Sequence, residues 1–274
     1  MILRNIKISE LGVVDILSCE LCGHTDTVRV CATEELSYAI ALVLNSKALP
    51  FLPCSCIGEK ARIEASVYAD QKEYRLLALP DVERGRMKLY AYNSVGDDVT
   101  NEYLRISSHC EEQDMSELFD GKEKMCFLRF LRYANEEMFY ERGDLSRRTD
   151  GMSELRAFRA YLRAFIRDFR PERIRDGKKY EIVLKRNGAY SIQCEGREDM
   201  SVYLSETEQK LFSYLCFLRT VEFWSGFEDL RNFNGVKKPL IIRNFLERLD
   251  ESVDTDALIR RASELGRQVI VISR

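Results

Sequence analysis

Apolar and polar residues alternate along most of the first hundred residues, as they do in half-buried β-strands. The alternation predicts strands at residues 2–8, 13–19, 27–31, 62–68, 73–78 and 87–92. From residue 34 to residue 44 apolar residues instead recur every three or four positions, which predicts a helix with Thr33 as its N-cap. This half of the chain therefore predicts an antiparallel β-lobe with one helix.

The middle of the chain gives a weaker pattern. Residues 96–123 are acidic and irregular and predict a loop or connecting region, whereas residues 124–142 and 153–169 have helical periodicity. Residues 179–185 and 188–193 predict a hairpin, because Asn-Gly at the start of the second segment is a strong hairpin signal.

The last seventy residues predict a helix followed by a strand, a helix and a strand. Ser205 and Glu208 form a capping box, so a helix begins at Ser205. Residues 238–242 and 268–273 are short apolar runs, and between them Asp254 or Thr255 can cap a helix. Two apolar strands joined by one helix predict a parallel pair.

The order of motifs in this region resembles the RecF/SMC branch of ABC-type ATPase heads. The stretch Leu204, Ser205, Glu206, Thr207, Glu208 and Gln209 resembles the Leu-Ser-x-Gly-Glu-Gln signature of that family. Residues 239–244 resemble its Walker B strand, Leu249 and Asp250 its D-loop, and residues 269–274 the strand that ends at the switch histidine. The resemblance implies an α/β head of the ABC ATPase type, with a mixed sheet, an antiparallel β-lobe and a C-terminal parallel βαβ unit.

The same resemblance implies one two-lobed domain over residues 1–274. Lobe I would cover residues 1–108, a helical insert residues 109–170 and lobe II residues 171–274, each boundary being approximate. The insert is too short for a long coiled coil and has no sustained heptads, so the compact RecF-like members are the closer match.

Several positions depart from the residues that hydrolysis requires in this family. A hydrolysing head ends its Walker B strand in Asp-Glu, which holds the magnesium shell and polarises the attacking water. This chain has Arg243, which would repel the cation, and Asn244, which cannot act as a base. Arg274 stands at the switch position, and Thr207 replaces the glycine of the signature.

The sequence also contains no Walker A motif. That motif needs Gly-x-x-x-x-Gly-Lys-Ser/Thr, because its glycines let successive amides surround a phosphate. At the corresponding place the chain has Ala32, Thr33, Glu34 and Glu35, whose two carboxylates oppose a triphosphate at the helix N-terminus. The sequence therefore predicts a head without an intact P-loop and without a resident cofactor.

Two hypotheses of function follow. The first is a degenerate RecF/SMC-like head, a pseudo-ATPase that has lost hydrolysis and acts as a binding, scaffold or regulatory protein, with a link to DNA maintenance. Its partner would be a protein, such as an ATPase paralogue whose site Ser205 completes; a simple N-cap is the other interpretation of Ser205. The alternative is an active ATPase with a rearranged site, with ATP and magnesium as cofactors. The carboxylates available for it are Glu247, Asp250, Glu251 and Asp254, which could also be only a polar loop and helix cap.

Charge constrains the nucleic-acid hypothesis. The chain has 42 basic and 45 acidic residues and a net charge of -3, so contact with DNA needs a local patch. A patch is predicted on the helix at residues 153–169, by Arg156, Arg159, Arg163 and Arg167. These side chains would contact phosphates or an acidic partner, or would only cover the edge of the core. The chain contains neither a signal peptide nor an apolar run long enough for a membrane span, so a cytoplasmic location and no membrane contact are predicted.

The nine cysteines raise the question of a metal site. Cys19 and Cys22 have the spacing of half a zinc site, but Cys54 and Cys56 make a poor second half. Cys31 and others lie among apolar neighbours, as small core residues do. The sequence therefore favours buried free thiols over zinc and predicts no metal.

Overall fold

The computed structural model describes residues 1–46, 52–108, 117–118, 180–184, 190–194, 218, 237–244, 249, 251 and 253–274. The chain divides into two compact units. The first contains Met1–Asp120, Leu230–Glu247 and Ser252–Arg274, and the second contains Gly121–Asp229 and Arg248–Glu251. The predicted insert lies almost entirely outside the described residues, so the predicted lobe boundaries stay a prediction.

A five-stranded antiparallel sheet forms one part of the first unit. Its strands are β1 (Ile2–Leu11), β2 (Val14–Glu20), β4 (Ile57–Ala69), β5 (Lys72–Asp81) and β6 (Arg86–Tyr92), in the spatial order β2-β1-β4-β5-β6. In β4 the odd-numbered residues from Ala61 to Ala69 are buried, whereas the even-numbered residues between them are not. This alternation is what predicted the strand, and the antiparallel β-lobe is confirmed.

The other sheet of the first unit is parallel. Its strands are β3 (Thr25–Arg29), β7 (Glu117–Leu118), β10 (Leu240–Arg243) and β11 (Val269–Ser273), in the order β3-β11-β10-β7. β10 and β11 are almost wholly buried, as parallel strands usually are. Between them lies the helix α3 (Thr255–Ser263), and Asp254 caps it by accepting from the Ala257 amide at 2.9 Å. The C-terminal βαβ unit is thus confirmed, with Asp254 as the cap.

The helix α1 (Thr33–Val43) follows β3 and is buried along most of its length. Thr33 is its first residue, and Ala32 occupies the N-cap position without a side-chain hydrogen bond. The prediction of Thr33 as the cap is therefore wrong. Its hydroxyl oxygen instead lies 3.4 Å from the side-chain amide nitrogen of Asn244, at the end of β10.

The helix α2 (Thr100–Ser108) occupies part of the stretch predicted as a loop, so that prediction is wrong for these residues. Asp98 accepts from the Thr100 amide at 2.9 Å, and the Thr100 hydroxyl oxygen accepts from the Ala91 amide at 2.9 Å. Tyr103 and Ile106 are buried, three positions apart on one face. This two-residue apolar signal lies among acidic residues and was too short to predict a helix.

The described residues of the second unit include one hairpin. It consists of β8 (Tyr180–Leu184) and β9 (Tyr190–Cys194), which pair antiparallel with Ile182 opposite Ile192. The predicted hairpin is confirmed, and its Asn-Gly turn lies outside the described residues.

Tyr103 fixes α2 against the C-terminus of α1. Its buried hydroxyl donates to the Val43 carbonyl oxygen, and its ring centre lies 5.2 Å from that of Tyr74. Burial raises the pKa of Tyr103 above its usual value, which favours the protonated hydroxyl as a donor. Near this contact, the side-chain amide of Asn45 donates to the Ser107 hydroxyl oxygen at 2.9 Å.

Replacing Tyr103 by phenylalanine should lower the free energy of unfolding by about 1–3 kcal/mol, because the buried Val43 carbonyl loses its donor. Urea denaturation of the purified protein measures this difference. The matched control is Tyr90→Phe, on the outer face of β6, which should change stability by less than about 0.5 kcal/mol. Equal losses for the two variants would contradict the assigned role of the Tyr103 hydroxyl.

Candidate functional site

The carboxyl ends of three parallel strands meet at one edge of the parallel sheet. The Val30 amide, just after β3, donates to the Ser273 carbonyl at 2.9 Å, and the Asn244 amide, just after β10, donates to the Ile272 carbonyl at 2.9 Å. Ligands of open parallel α/β sheets bind outside the carboxyl ends of the strands. This edge is therefore the candidate site.

Asn244 connects the end of β10 with the start of α1. Its backbone has a φ of 52°, in the left-handed region that asparagine tolerates better than most residues. Its amide nitrogen faces the hydroxyl of Thr33, which is 1% exposed. Its Oδ1 atom is buried and has no hydrogen-bond partner among the described residues. Neither of the two residues in this contact supplies a carboxylate.

The connection from β3 to α1 is short. Only Val30, Cys31 and Ala32 separate the end of β3 from the first residue of α1. The helix begins directly after these residues, because the Leu36 backbone amide donates to the Ala32 carbonyl at 3.1 Å. None of the three connecting residues is a glycine. The connection therefore lacks the residues that let successive amides curl around a phosphate.

The two carboxylates predicted to oppose a phosphate at the start of α1 differ in their surroundings. Glu34 is exposed, whereas Glu35 is buried and accepts from the Val13 amide at 3.2 Å. That amide belongs to the turn between β1 and β2, where Gly12 has a φ of 59°. Glu35 therefore anchors this turn to α1, a role that sequence analysis missed. A glycine between two predicted strands was the available signal.

The two arginines predicted at degenerate positions lie at the same edge of the sheet. Arg243 is the last residue of β10, is half-buried and pairs in register with Ile272 of β11. Arg274 directly follows β11 and is exposed. The structure thus brings Arg243, Asn244 and Thr33 together, and their correspondence to family positions stays a prediction.

Three groups of predicted site residues lie outside the described part of the chain. They are the signature-like residues 204–209, the basic patch at Arg156, Arg159, Arg163 and Arg167, and the carboxylates of Glu247 and Asp250. Leu249 lies in a bend and is half-buried, and Glu251 is exposed in a turn. The Asp254 carboxylate is engaged as the cap of α3. The capping role is therefore the one that the structure gives to Asp254.

Cys19 and Cys22 lie at the end of β2 and directly after it. Burial raises the pKa of the half-buried Cys19 thiol, which disfavours the thiolate that zinc binds. Cys22 is exposed, and its thiol points at the Thr25 carbonyl oxygen, 3.6 Å away. The described residues contain no group of three or more His, Cys, Asp or Glu that could hold a metal. Cys31, predicted as a core residue, is exposed because it belongs to the short connection before α1.

Among the helices of the described residues, none is both long and apolar enough to cross a bilayer.

Comparison with known proteins gives matches in structure and not in sequence. No protein-family model and no curated protein matches the chain. An SMC head solved in complex with the C-winged helix domain of ScpA matches at 16% identity and a TM-score of 0.61, over 100% of this chain and 89% of that chain. RecF bound to ATP matches at 14% identity and a TM-score of 0.48, over 99% and 91%. The SMC head of Thermotoga maritima matches at 15% identity and a TM-score of 0.46, over 100% and 89%. The first of these likenesses shows the fold, which is that of an ABC-type ATPase head.

Proposed function

We propose that this protein, which has the fold of an ABC-type ATPase head, does not hydrolyse ATP and acts as a binding, scaffold or regulatory protein. The observation that carries the proposal is the contact of Asn244 with Thr33 at the end of β10. A hydrolysing head needs a carboxylate at the end of its Walker B strand to polarise the attacking water, and the amide at the corresponding position in the resemblance cannot take up a proton from it. Arg243, the last residue of β10, brings a permanent positive charge where the family resemblance would put a magnesium ligand.

The phosphate side of the site supports the same proposal. The three residues between β3 and α1 offer no glycine-rich cradle and no lysine for a triphosphate. The exposed Glu34 adds a negative charge in the first turn of α1, where an anionic ligand would gain from the helix dipole. The negative charge of Glu34 and the short connection from β3 to α1 therefore both disfavour nucleotide binding.

A protein partner is the second part of the proposal. The SMC head that shares this fold was solved with the C-winged helix domain of ScpA bound to it. For this chain the partner could be an ATPase paralogue, with Ser205 completing its site, or DNA, with the four arginines between residues 156 and 167 as the contact. The support for these two is the family resemblance and the charge pattern, and a protein partner is favoured because the net charge is not basic.

The test is thermal unfolding of the purified chain with and without Mg-ATP, combined with a phosphate-release assay. A ligand at about one hundred times its dissociation constant stabilises a protein by about 2.7 kcal/mol, which moves the midpoint by several degrees. We expect no shift with millimolar Mg-ATP and no turnover above the buffer background.

Two variants make the test specific. Asn244→Ala and Thr33→Val each remove one of the two polar groups in the contact between the end of β10 and the start of α1. The rest of this edge of the sheet stays in place. A Mg-ATP shift in the natural chain that disappears in both variants would overturn the proposal and favour a rearranged nucleotide site. Magnesium-dependent turnover that is lost in Asp250→Ala would do the same.

A further inference from the structure

The two edges of the five-stranded sheet differ. At the β6 edge, the chain after β6 folds back and pairs with the last two residues of the strand. The Val99 amide donates to the Ala91 carbonyl at 2.8 Å, the Ala91 amide donates to the Thr100 hydroxyl oxygen at 2.9 Å, and Tyr92 pairs with Asp98. This segment covers the C-terminal end of the edge, and the rest of β6 carries Arg86 and Lys88, charged residues of the kind that discourage edge pairing.

In the part of the chain that the structure describes, the β2 edge is open. β2 pairs with β1 on one side, and on its other side no strand or hydrogen-bonded segment of the described chain covers its seven residues. The strand contains no lysine, arginine or proline, and its register with β1 is uninterrupted. Proteins usually protect an exposed edge with such residues or with a bulge. β2 has no bulge, lysine or proline, and its only charged residues are Asp15 and Glu20.

The open edge also exposes two large apolar side chains at one end and near its centre. Four large apolar side chains are strongly exposed among the described residues, and two of them, Val13 at 82% and Ile16 at 72%, lie on this edge and the turn before it. If another strand paired with β2, Ile16 near the centre of β2 would lose much of this exposure. Removal of apolar side chains from water favours association. A partner strand on β2 therefore gains both hydrogen bonds and apolar burial.

We propose that two copies of this chain associate through β2, antiparallel about a two-fold axis, so that two five-stranded sheets join into one. In the register that places Ile16 opposite Ile16 of the partner subunit, Asp15 faces Leu17 of the partner subunit. No two carboxylates are then directly opposed. A register centred on Asp15 would place like charges opposite each other, which is unfavourable.

A second copy fits this edge better than a foreign peptide does. An isologous pair uses the same edge twice, so both copies cover their own Val13 and Ile16 in one step. β2 is already extended and held by β1, whereas a free peptide would lose conformational entropy on pairing. Seven residues a side is a small interface, so the dimer should be weak and reversible. The inference does not depend on the state of the nucleotide site.

Sedimentation velocity of the full chain over a wide concentration range tests the proposal. We expect a reversible rise from one chain to two, and at least tenfold weaker association for Ile16→Lys, which places two lysines opposite each other at the axis. The matched control is Val95→Lys at the tip of the turn after β6, where the replaced side chain is 79% exposed. This variant introduces the same chemical change and should dimerise like the natural chain.

Hydrogen exchange locates the contact. Amides of residues 14–20 should gain protection with rising concentration in the natural chain and in Val95→Lys, and not in Ile16→Lys. A chain that stays monomeric at every concentration would overturn the proposal. A dimer that survives Ile16→Lys with no added protection at residues 14–20 would overturn it as well. Urea denaturation of both lysine variants checks that each remains folded.

Discussion

Replacing Gln268 by methionine is expected to lower the free energy of unfolding by about 2–6 kcal/mol, because two buried backbone groups each lose a partner worth about 1–3 kcal/mol. The Gln268 Oε1 atom accepts from the Leu3 amide at 2.8 Å, and its Nε2 atom donates to the Leu3 carbonyl at 2.9 Å. Both residues are buried. Methionine has a similar length and fills the space, but it can neither donate nor accept here with comparable strength.

The position of Gln268 makes the loss large. Leu3 belongs to β1 of the antiparallel sheet, and Gln268 directly precedes β11 of the parallel sheet. The Gln268 carbonyl also accepts from the Leu240 amide at 2.7 Å, at the start of β10. One side chain therefore joins the two sheets at a place where water cannot replace it.

Urea denaturation measures the loss, and Asp26→Asn is the comparison variant. Asp26 accepts from the Gln268 Nε2 atom at 3.1 Å with one carboxylate oxygen and from the Cys22 backbone amide at 2.7 Å with the other. Asparagine has the same size but only one acceptor oxygen, so it should cost about 1–2 kcal/mol at neutral pH. A Gln268→Met variant that loses no more than Asp26→Asn would show that the two contacts with Leu3 contribute little.

The comparison variant also has a pH signature. Burial raises the pKa of Asp26, but hydrogen bonds from Cys22, Gln268 and Gly23 outweigh it and hold the pKa below its usual value. The stabilisation from the ionised carboxylate is therefore complete above the unfolded-state pKa and is lost as pH falls through the folded-state pKa. In Asp26→Asn, the free energy of unfolding should therefore fall less steeply as the pH decreases through this range.

Local periodicity predicted the elements of the fold but not the contacts that join them. The alternation in β4 and the two apolar runs at β10 and β11 were sufficient to predict an antiparallel lobe and a parallel pair. No local pattern indicates that Gln268 pairs with Leu3, 265 positions away, because one amide side chain leaves no period in the sequence. The same holds for Tyr103, which donates to a helix end 60 positions away.

The candidate site shows the same division. The order of motifs placed Arg243 and Asn244 at the end of a buried strand, and the structure has them there. Sequence alone assigned Thr33 to capping, because it stands just before a helical period. Its contact with Asn244 joins residues 211 positions apart, so only the three-dimensional arrangement of β10 and α1 brings it about. Glu35 was likewise interpreted as a charge at the helix N-terminus, because its contact with the turn between β1 and β2 leaves no local pattern.

Replacing Gly12 by alanine should lower the free energy of unfolding by about 2–4 kcal/mol, through two effects. The φ of 59° is left-handed, which costs a residue with a Cβ atom about 1–2 kcal/mol. A Cβ atom would also lie 2.9 Å from the Glu35 Cγ atom and overlap its Oε1 atom. The carboxylate would have to move, and the Val13 amide would lose its acceptor.

Gly266→Ala separates these two effects. Gly266 has a φ of 67°, and the space around a Cβ atom there is open, so this variant carries the backbone strain alone. The excess loss in Gly12→Ala over Gly266→Ala, measured by urea denaturation, then reports the displacement of Glu35. In a Glu35→Ala background that excess should vanish, because the side chain that the new methyl group meets is gone. An excess that persists in that background would show that the turn between β1 and β2 is fixed by something other than Glu35.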